Sequence, residues 1–157
     1  ENVMIKNGSF NAGTSGYEIF VDTSADANYV VDSLSEDNAM DFTILDTGAS
    51  DWNVQLKQNN ITLEKGKTYT LTFEAKSDMK RDIRVIIQGR EDKGWPVYSG
   101  ENIVTLSSDY QTFSTTFTME SDTDPDAFLS VCLGAVSERI DSRHRVCIDN
   151  ISLEEVN

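Results

Sequence analysis

A chain of 157 residues with 38% apolar side chains is long enough for one two-layer core and short for two, so residues 1–157 are expected to form a single domain. A net charge of −14 argues against nucleic acid or an anionic membrane as a partner, because a polyanion would be repelled. No apolar run approaches the roughly 18 residues of a membrane span, and no basic segment followed by an apolar one opens the chain at Glu1, so we expect a soluble domain excised from a longer protein.

In chain order, residues 3–6 read as a short strand ended by the turn dipeptide Asn7-Gly8, with Phe10 as a lone aromatic anchor in the loop that follows. Residues 17–21 and 29–32 read as short strands. Met40, Phe42 and Ile44 alternate with Asp41 and Thr43, giving a strand to Leu45, and residues 52–58 form the next, with Val54 and Leu56 on one face. The most regular strand follows the turn Lys65-Gly66-Lys67, where Tyr69, Leu71, Phe73 and Ala75 alternate with Thr70, Thr72, Glu74 and Lys76. In residues 83–88, Ile83, Val85 and Ile87 point inward. The opposite face carries Arg84, Ile86 and Gln88, a mixture suited to the floor of a groove for a polar ligand.

Residues 89–100 form a long excursion that holds Trp95 and Tyr98 among glycines, a proline and charges. Strands resume at 103–106 and 113–119, residues 122–126 read as a loop, and Leu129, Val131 and Leu133 face in while Ser130 and Cys132 face out. Residues 137–143 are a polar hairpin loop. Val146 and Ile148 share a face, yet Ile151 and Leu153 are one residue out of step, so a bulge is expected at Asp149-Asn150. With no sustained helical period and about ten short strands, the fold class is all-β, an antiparallel sandwich or jelly roll.

Two cysteines are too few for a disulfide framework, and their spacing matches no metal motif. Cys132 and Cys147 could bridge across one hairpin or stand as separate thiols, and the second is the reading adopted. His144, between Arg143 and Arg145, is the single histidine, and no nucleophile elbow, zinc-protease helix or phosphate loop occurs. Hydrolysis by a chance carboxylate pair among the 27 acidic residues is the remaining catalytic route, and no acid sits in an apolar context that would raise its pKa.

The aromatics carry more. Trp52, Trp95 and Tyr98, set near Arg84 and Gln88, combine flat rings with hydrogen-bonding groups, which suits a pyranose whose C–H faces stack while its hydroxyls bond. The competing reading has Trp52 capping the core edge and Trp95 pinning its own loop. The loops at 7–11 and 36–39 and the bulge at Asp149 are rich in oxygen donors that could converge on a hard cation.

Taken together and in order, IKNGSF, WNVQL, LEKGKTYTLTFEAKS, YQTFSTTFTM, LSVCLG and VCIDNISLEE span nearly the whole chain. The sequence resembles the carbohydrate-binding modules of families four, nine and twenty-two, jelly-roll modules attached to cellulases, xylanases and related glucanases. The resemblance implies a two-sheet sandwich whose concave face binds one glycan chain in an open cleft, without catalysis. It implies that Trp52 stacks on sugar, that Gln55 bonds hydroxyls, that Arg84 and Gln88 face the cleft, and that Trp95 or Tyr98 supplies the second aromatic. Cys132 stands where Gln or His is usual. The resemblance also implies a structural calcium held by Ser9, Asn11, Glu36, Ala39 and Asp149, with Asn11 in place of the usual carboxylate. The expected function is that of a secreted module that targets a covalently linked glycoside hydrolase to β-glucan or amorphous cellulose. Xylan and β-1,3-glucan are alternative ligands, and a structural or adhesive sandwich that has lost sugar binding is the alternative class.

Overall fold

Alternation of apolar and polar residues sorts the described residues, 3–32 and 38–157 of a computed structural model, into ten strands. These are β1 (Glu18–Val21), β2 (Asp26–Asp32), β3 (Ala39–Asp46), β4 (Val54–Leu63), β5 (Thr68–Ser77), β6 (Arg81–Gln88), β7 (Ile103–Leu106), β8 (Gln111–Thr118), β9 (Asp124–Cys132) and β10 (His144–Glu155). They form two antiparallel five-stranded sheets, ordered β1-β4-β9-β6-β7 and β2-β3-β10-β5-β8, so the chain crosses repeatedly between layers as in a jelly roll.

The inward faces supply the core. Val54 and Leu56 of β4, Ile83, Val85 and Ile87 of β6, and Leu129 and Val131 of β9 meet Phe42, Ile44, Leu71, Phe73, Val146 and Ile148 of the facing sheet. Burying each such side chain stabilises the fold by about 1.5–3 kcal/mol relative to exposing it. The expected bulge is present, since β10 pairs with β5 in one register up to Asp149 and in a shifted register from Ser152.

Four expectations are corrected. Residues 3–6 form no strand; Gln58, buried at the position after Leu56 on the core face, accepts the Lys6 amide and donates to the Lys6 carbonyl, both at 2.7 Å. Its side-chain amide does for Lys6 what a neighbouring strand would. Trp52 precedes β4 in a single 3-10 turn, Asp51–Asn53, rather than opening the strand. Asp124 belongs to β9, opposite Leu63, so the loop expected at 122–126 is shorter. Residues 137–143 join β9 to β10, which lie in different sheets, so that loop is a crossover and not a hairpin, and Cys132 and Cys147 stand as separate buried thiols, the reading adopted.

Candidate functional site

The outward face of the first sheet is a groove of about 500 Å³. Its floor is built in cross-strand rows. One row runs Phe20 (β1), Gln55 (β4), Cys132 (β9), Arg84 (β6). The next runs Lys57, Ser130, Ile86, and a third joins Phe128 to Gln88. Cys132 and Phe128 are four residues apart on one strand, which sets the rows across about 13 Å. Ile86 is fully buried on this face, so the exposed floor is more polar than the Arg84-Ile86-Gln88 alternation alone implies.

A tryptophan stands at each end. Trp52 is 47% exposed, and its ring stacks on Phe20 with centroids 6.2 Å apart and planes at 28°. The turn that carries it is fixed by backbone bonds from the end of β9, the Leu133 amide to Val54, Gly134 to Asp51 and Ala135 to Ser50. Gly134 is required there, because a Cβ would lie 2.3 Å from the Ser50 carbonyl oxygen. Trp95 is 51% exposed and meets Phe128 edge-on, with centroids 6.0 Å apart and planes at 78°. Its loop folds back on β6 through an isolated bridge between Gln88 and Val97.

Of the six residues expected to face sugar, Trp52, Gln55, Arg84, Gln88 and Trp95 line this groove and Tyr98 does not. Tyr98 packs against the core and donates its hydroxyl to Asp124 at 2.7 Å. That settles which aromatic of the excursion faces the groove: Trp95. Arg84 is held between two acids. Its Nε donates to Glu101 at 2.5 Å, a second nitrogen reaches the same carboxylate, and Nη1 lies 3.5 Å from Asp51. Burial works against its charge, and the Glu101 carboxylate outweighs it, with smaller help from Asp51, leaving the guanidinium above its ordinary pKa. Its planar fork is thus fixed before any ligand arrives. Cys132 is 2% exposed, with Sγ 3.3 Å from the Ser130 hydroxyl. Burial pushes its thiol up, so it sits in the floor as a neutral, weak donor.

Phe20, Asp51, Lys57, Phe128 and Ser130 line the groove as well. Lys57, Ser130 and Phe128 follow from extending the alternation through Gln55 and Cys132 by two or four residues. Phe20 stands in a strand of four residues, too short for its period to assign a face.

Of the residues expected to hold calcium, Ser9, Asn11, Ala39 and Asp149 lie near the bulge. Ile148 pairs with Met40, which puts Asp149 level with Ala39, and the Ile151 amide donates to the Gly8 carbonyl at 3.0 Å, laying the loop of Ser9 and Asn11 on the same edge. Asn38 donates to the Asn11 side-chain oxygen at 3.0 Å, and the Asp149 charge, after burial, helps raise the pKa of Tyr17. Glu36 lies outside the described residues. The donors are one carboxylate, amide oxygens and carbonyls, a hard oxygen set that fits calcium rather than a transition metal. Among the described residues no cluster of three or more His, Cys, Asp or Glu side chains is placed to hold a metal. His144 is 1% exposed, bonded to Arg81, and is not among the groove residues.

Residues 2–139 match the family model described as "Carbohydrate binding domain". The chain belongs to that carbohydrate-binding family. A solved structure described as "CBM4 structure and function" superposes on the module with a TM-score of 0.82 and 29% identity, covering 97% of this chain and 99% of that one. The N-terminal cellulose-binding domain from Cellulomonas fimi β-1,4-glucanase C superposes with a TM-score of 0.71 at 18% identity, over 100% of this chain and 99% of that one. The CBM22-1 xylan-binding domain from Paenibacillus barcinonensis Xyn10C does so at 0.66 and 10% identity, over 99% and 96%. At those identities the last two speak to the jelly-roll fold alone. A cellulose 1,4-β-cellobiosidase of Acetivibrio thermocellus is 43% identical over 51 residues, which are 31% of this chain and 6% of that protein.

Proposed function

We propose that the module binds single β-glucan chains, of the kind found in amorphous cellulose, along the groove of the first sheet. The observation that carries this reading is the pair of half-exposed tryptophans, Trp52 and Trp95, at the two ends of a floor that offers Gln55, Gln88 and Arg84. Each indole presents an apolar face to the C–H face of a pyranose, and the amides and guanidinium bond its hydroxyls. Phe20 backs the Trp52 ring, so little order of that side chain remains to be imposed on binding.

In this reading the domain performs no hydrolysis and is secreted as part of a longer chain, bringing a glycoside hydrolase to its polysaccharide. The short match to a cellobiosidase supports that setting. A structural calcium at Ser9, Asn11, Glu36, Ala39 and Asp149 would fasten the N-terminal loop to β10, remote from the sugar-facing side chains. Its role is stability.

Affinity electrophoresis against soluble polysaccharides tests the proposal. Retardation by cellulosic and mixed-linkage β-glucans, weakened but not abolished in Trp52→Ala and in Trp95→Ala, is the expected result. Retardation by xylan or β-1,3-glucan alone would move the assignment to that glycan. No retardation by any glycan would leave a structural or adhesive sandwich.

A further inference from the structure

The loop that presents Trp95 is moored on both flanks to one buried carboxylate, and we propose that Asp124 is a positioning residue of the glycan site, acting through Trp95. The inference rests on the glycan-binding reading above. Asp124 is 1% exposed at the start of β9 and is not among the groove residues. Its Oδ1 accepts from Lys93 Nζ at 2.8 Å and from the Asp126 amide at 2.8 Å, while Oδ2 accepts the Tyr98 hydroxyl at 2.7 Å. Lys93 lies two residues before Trp95 and Tyr98 three residues after it.

Trp95 needs such a mooring for two reasons. Its backbone is in the left-handed region, φ 57°, directly after Gly94 at φ 78°, a conformation that a bulky residue keeps only when the surroundings hold it there. Its own packing is slight, because half of the side chain is exposed and its ring contact is a single edge-on approach to Phe128. The orientation of the indole therefore comes from the loop, and the loop takes its place from Asp124. Close packing at the base completes the anchor: Gly89 donates to the Pro96 carbonyl at 2.8 Å, and a Cβ there would lie 2.8 Å from Pro96 Cγ and from the Tyr98 hydroxyl. Burial alone would raise the Asp124 pKa, but Lys93, Tyr98 and the Asp126 amide together hold the carboxyl below its ordinary range, so it serves as an anion at neutral pH.

The test uses the chain's two tryptophans. In a Trp52→Phe background Trp95 is the sole indole, and Asp124→Asn and Lys93→Met should each change its emission maximum and its quenching by acrylamide, with no glycan present. In the otherwise native chain, calorimetric titration with a soluble cello-oligosaccharide should show both variants binding roughly tenfold more weakly. In a Trp95→Ala background the same substitutions should leave the remaining affinity unchanged, an outcome that a merely structural role would not give. Unchanged quenching, or an equal loss with and without Trp95, would overturn the inference. A native chain that binds no glycan would instead sink the functional proposal, while the quenching arm still decides whether Asp124 holds Trp95. Should Asp124→Asn fail to fold, Lys93→Met, whose side chain is 39% exposed, decides alone.

Discussion

The Trp52 ring lies over Phe20 at 28°, so the platform at one end of the groove is two aromatics deep and spans the turn before β4 and the edge strand β1. Removing the outer ring should cost about 2 kcal/mol of binding or more, close to a thirtyfold loss of affinity. Because Trp52 is half exposed, Trp52→Ala should melt close to the native chain. Phe20→Ala leaves the outer ring but removes its backing, a stack worth about 1 kcal/mol, so binding should weaken roughly fivefold. Titration with a soluble β-glucan measures both. Native affinity in a folded Trp52→Ala would place the sugar elsewhere.

Gln58 makes the opposite prediction, of stability without binding. Gln58→Ala strands the Lys6 amide and carbonyl that the side chain now pairs. Leaving such groups unmet costs about 1–3 kcal/mol, a fall in Tm of roughly 2–12 °C for a domain of this size. Glycan affinity measured well below the new Tm should not move, because Gln58 faces the core and not the groove.

The contrast between Gln55 and Gln58 shows how far the sequence could be read. Period two places Gln55 outward beside Val54 and Leu56, and the same period carries Lys57 outward and Gln58 inward, where a polar residue reads as an error until its partner in residues 3–6 is seen. The strands and both faces of β6 were legible for this reason. Two kinds of feature were not. Trp95 and Tyr98 sit in an irregular loop, where alternation says nothing about direction, and the choice between them depends on Asp124, 26 residues beyond Tyr98. Phe20 was hidden differently, because its strand of four residues is too short to show a period.

Calcium should stabilise the folded chain by mass action, since the unfolded chain lacks the convergence of Asp149, Ala39 and the Ser9–Asn11 loop. The gain is about 2.7 kcal/mol when the ion is at a hundred times its Kd. Thermal melts in calcium and in chelator should differ for the native chain and coincide for Asp149→Ala. Coinciding melts for the native chain would rule out the site. Glycan affinity at low temperature should be the same with and without the ion, because the bulge is not part of the groove.

The last expectation concerns acid. Arg81 is 4% exposed and has no acceptor atom, so His144 Nε2 must accept from its Nη1 at 2.9 Å, which leaves the proton on Nδ1 to be donated to the Ser142 carbonyl at 2.9 Å. The imidazole is therefore neutral in the fold. Burial holds its pKa below the ordinary 6.5, and the Arg81 charge adds to that, outweighing the Ser142 carbonyl and Asp78. In the unfolded chain the ordinary value returns, so below about pH 6.5 the unfolded state binds more protons than the folded one. Stability should be flat above that pH, fall as pH drops through the window beneath it, and level off once the folded imidazole also protonates. Protonation would aim an N–H at a guanidinium whose Nη2 also donates to the Leu133 and Gly134 carbonyls, both at 2.9 Å. The Leu133 and Gly134 amides hold the turn of Trp52, so the acid-sensitive contact lies one peptide segment from the groove. Urea melts at pH 7 and pH 5 should show the loss in the native chain and a smaller one in His144→Gln, which keeps an acceptor within reach of Arg81 and cannot titrate. Equal losses in both would assign the acid sensitivity to carboxylates instead.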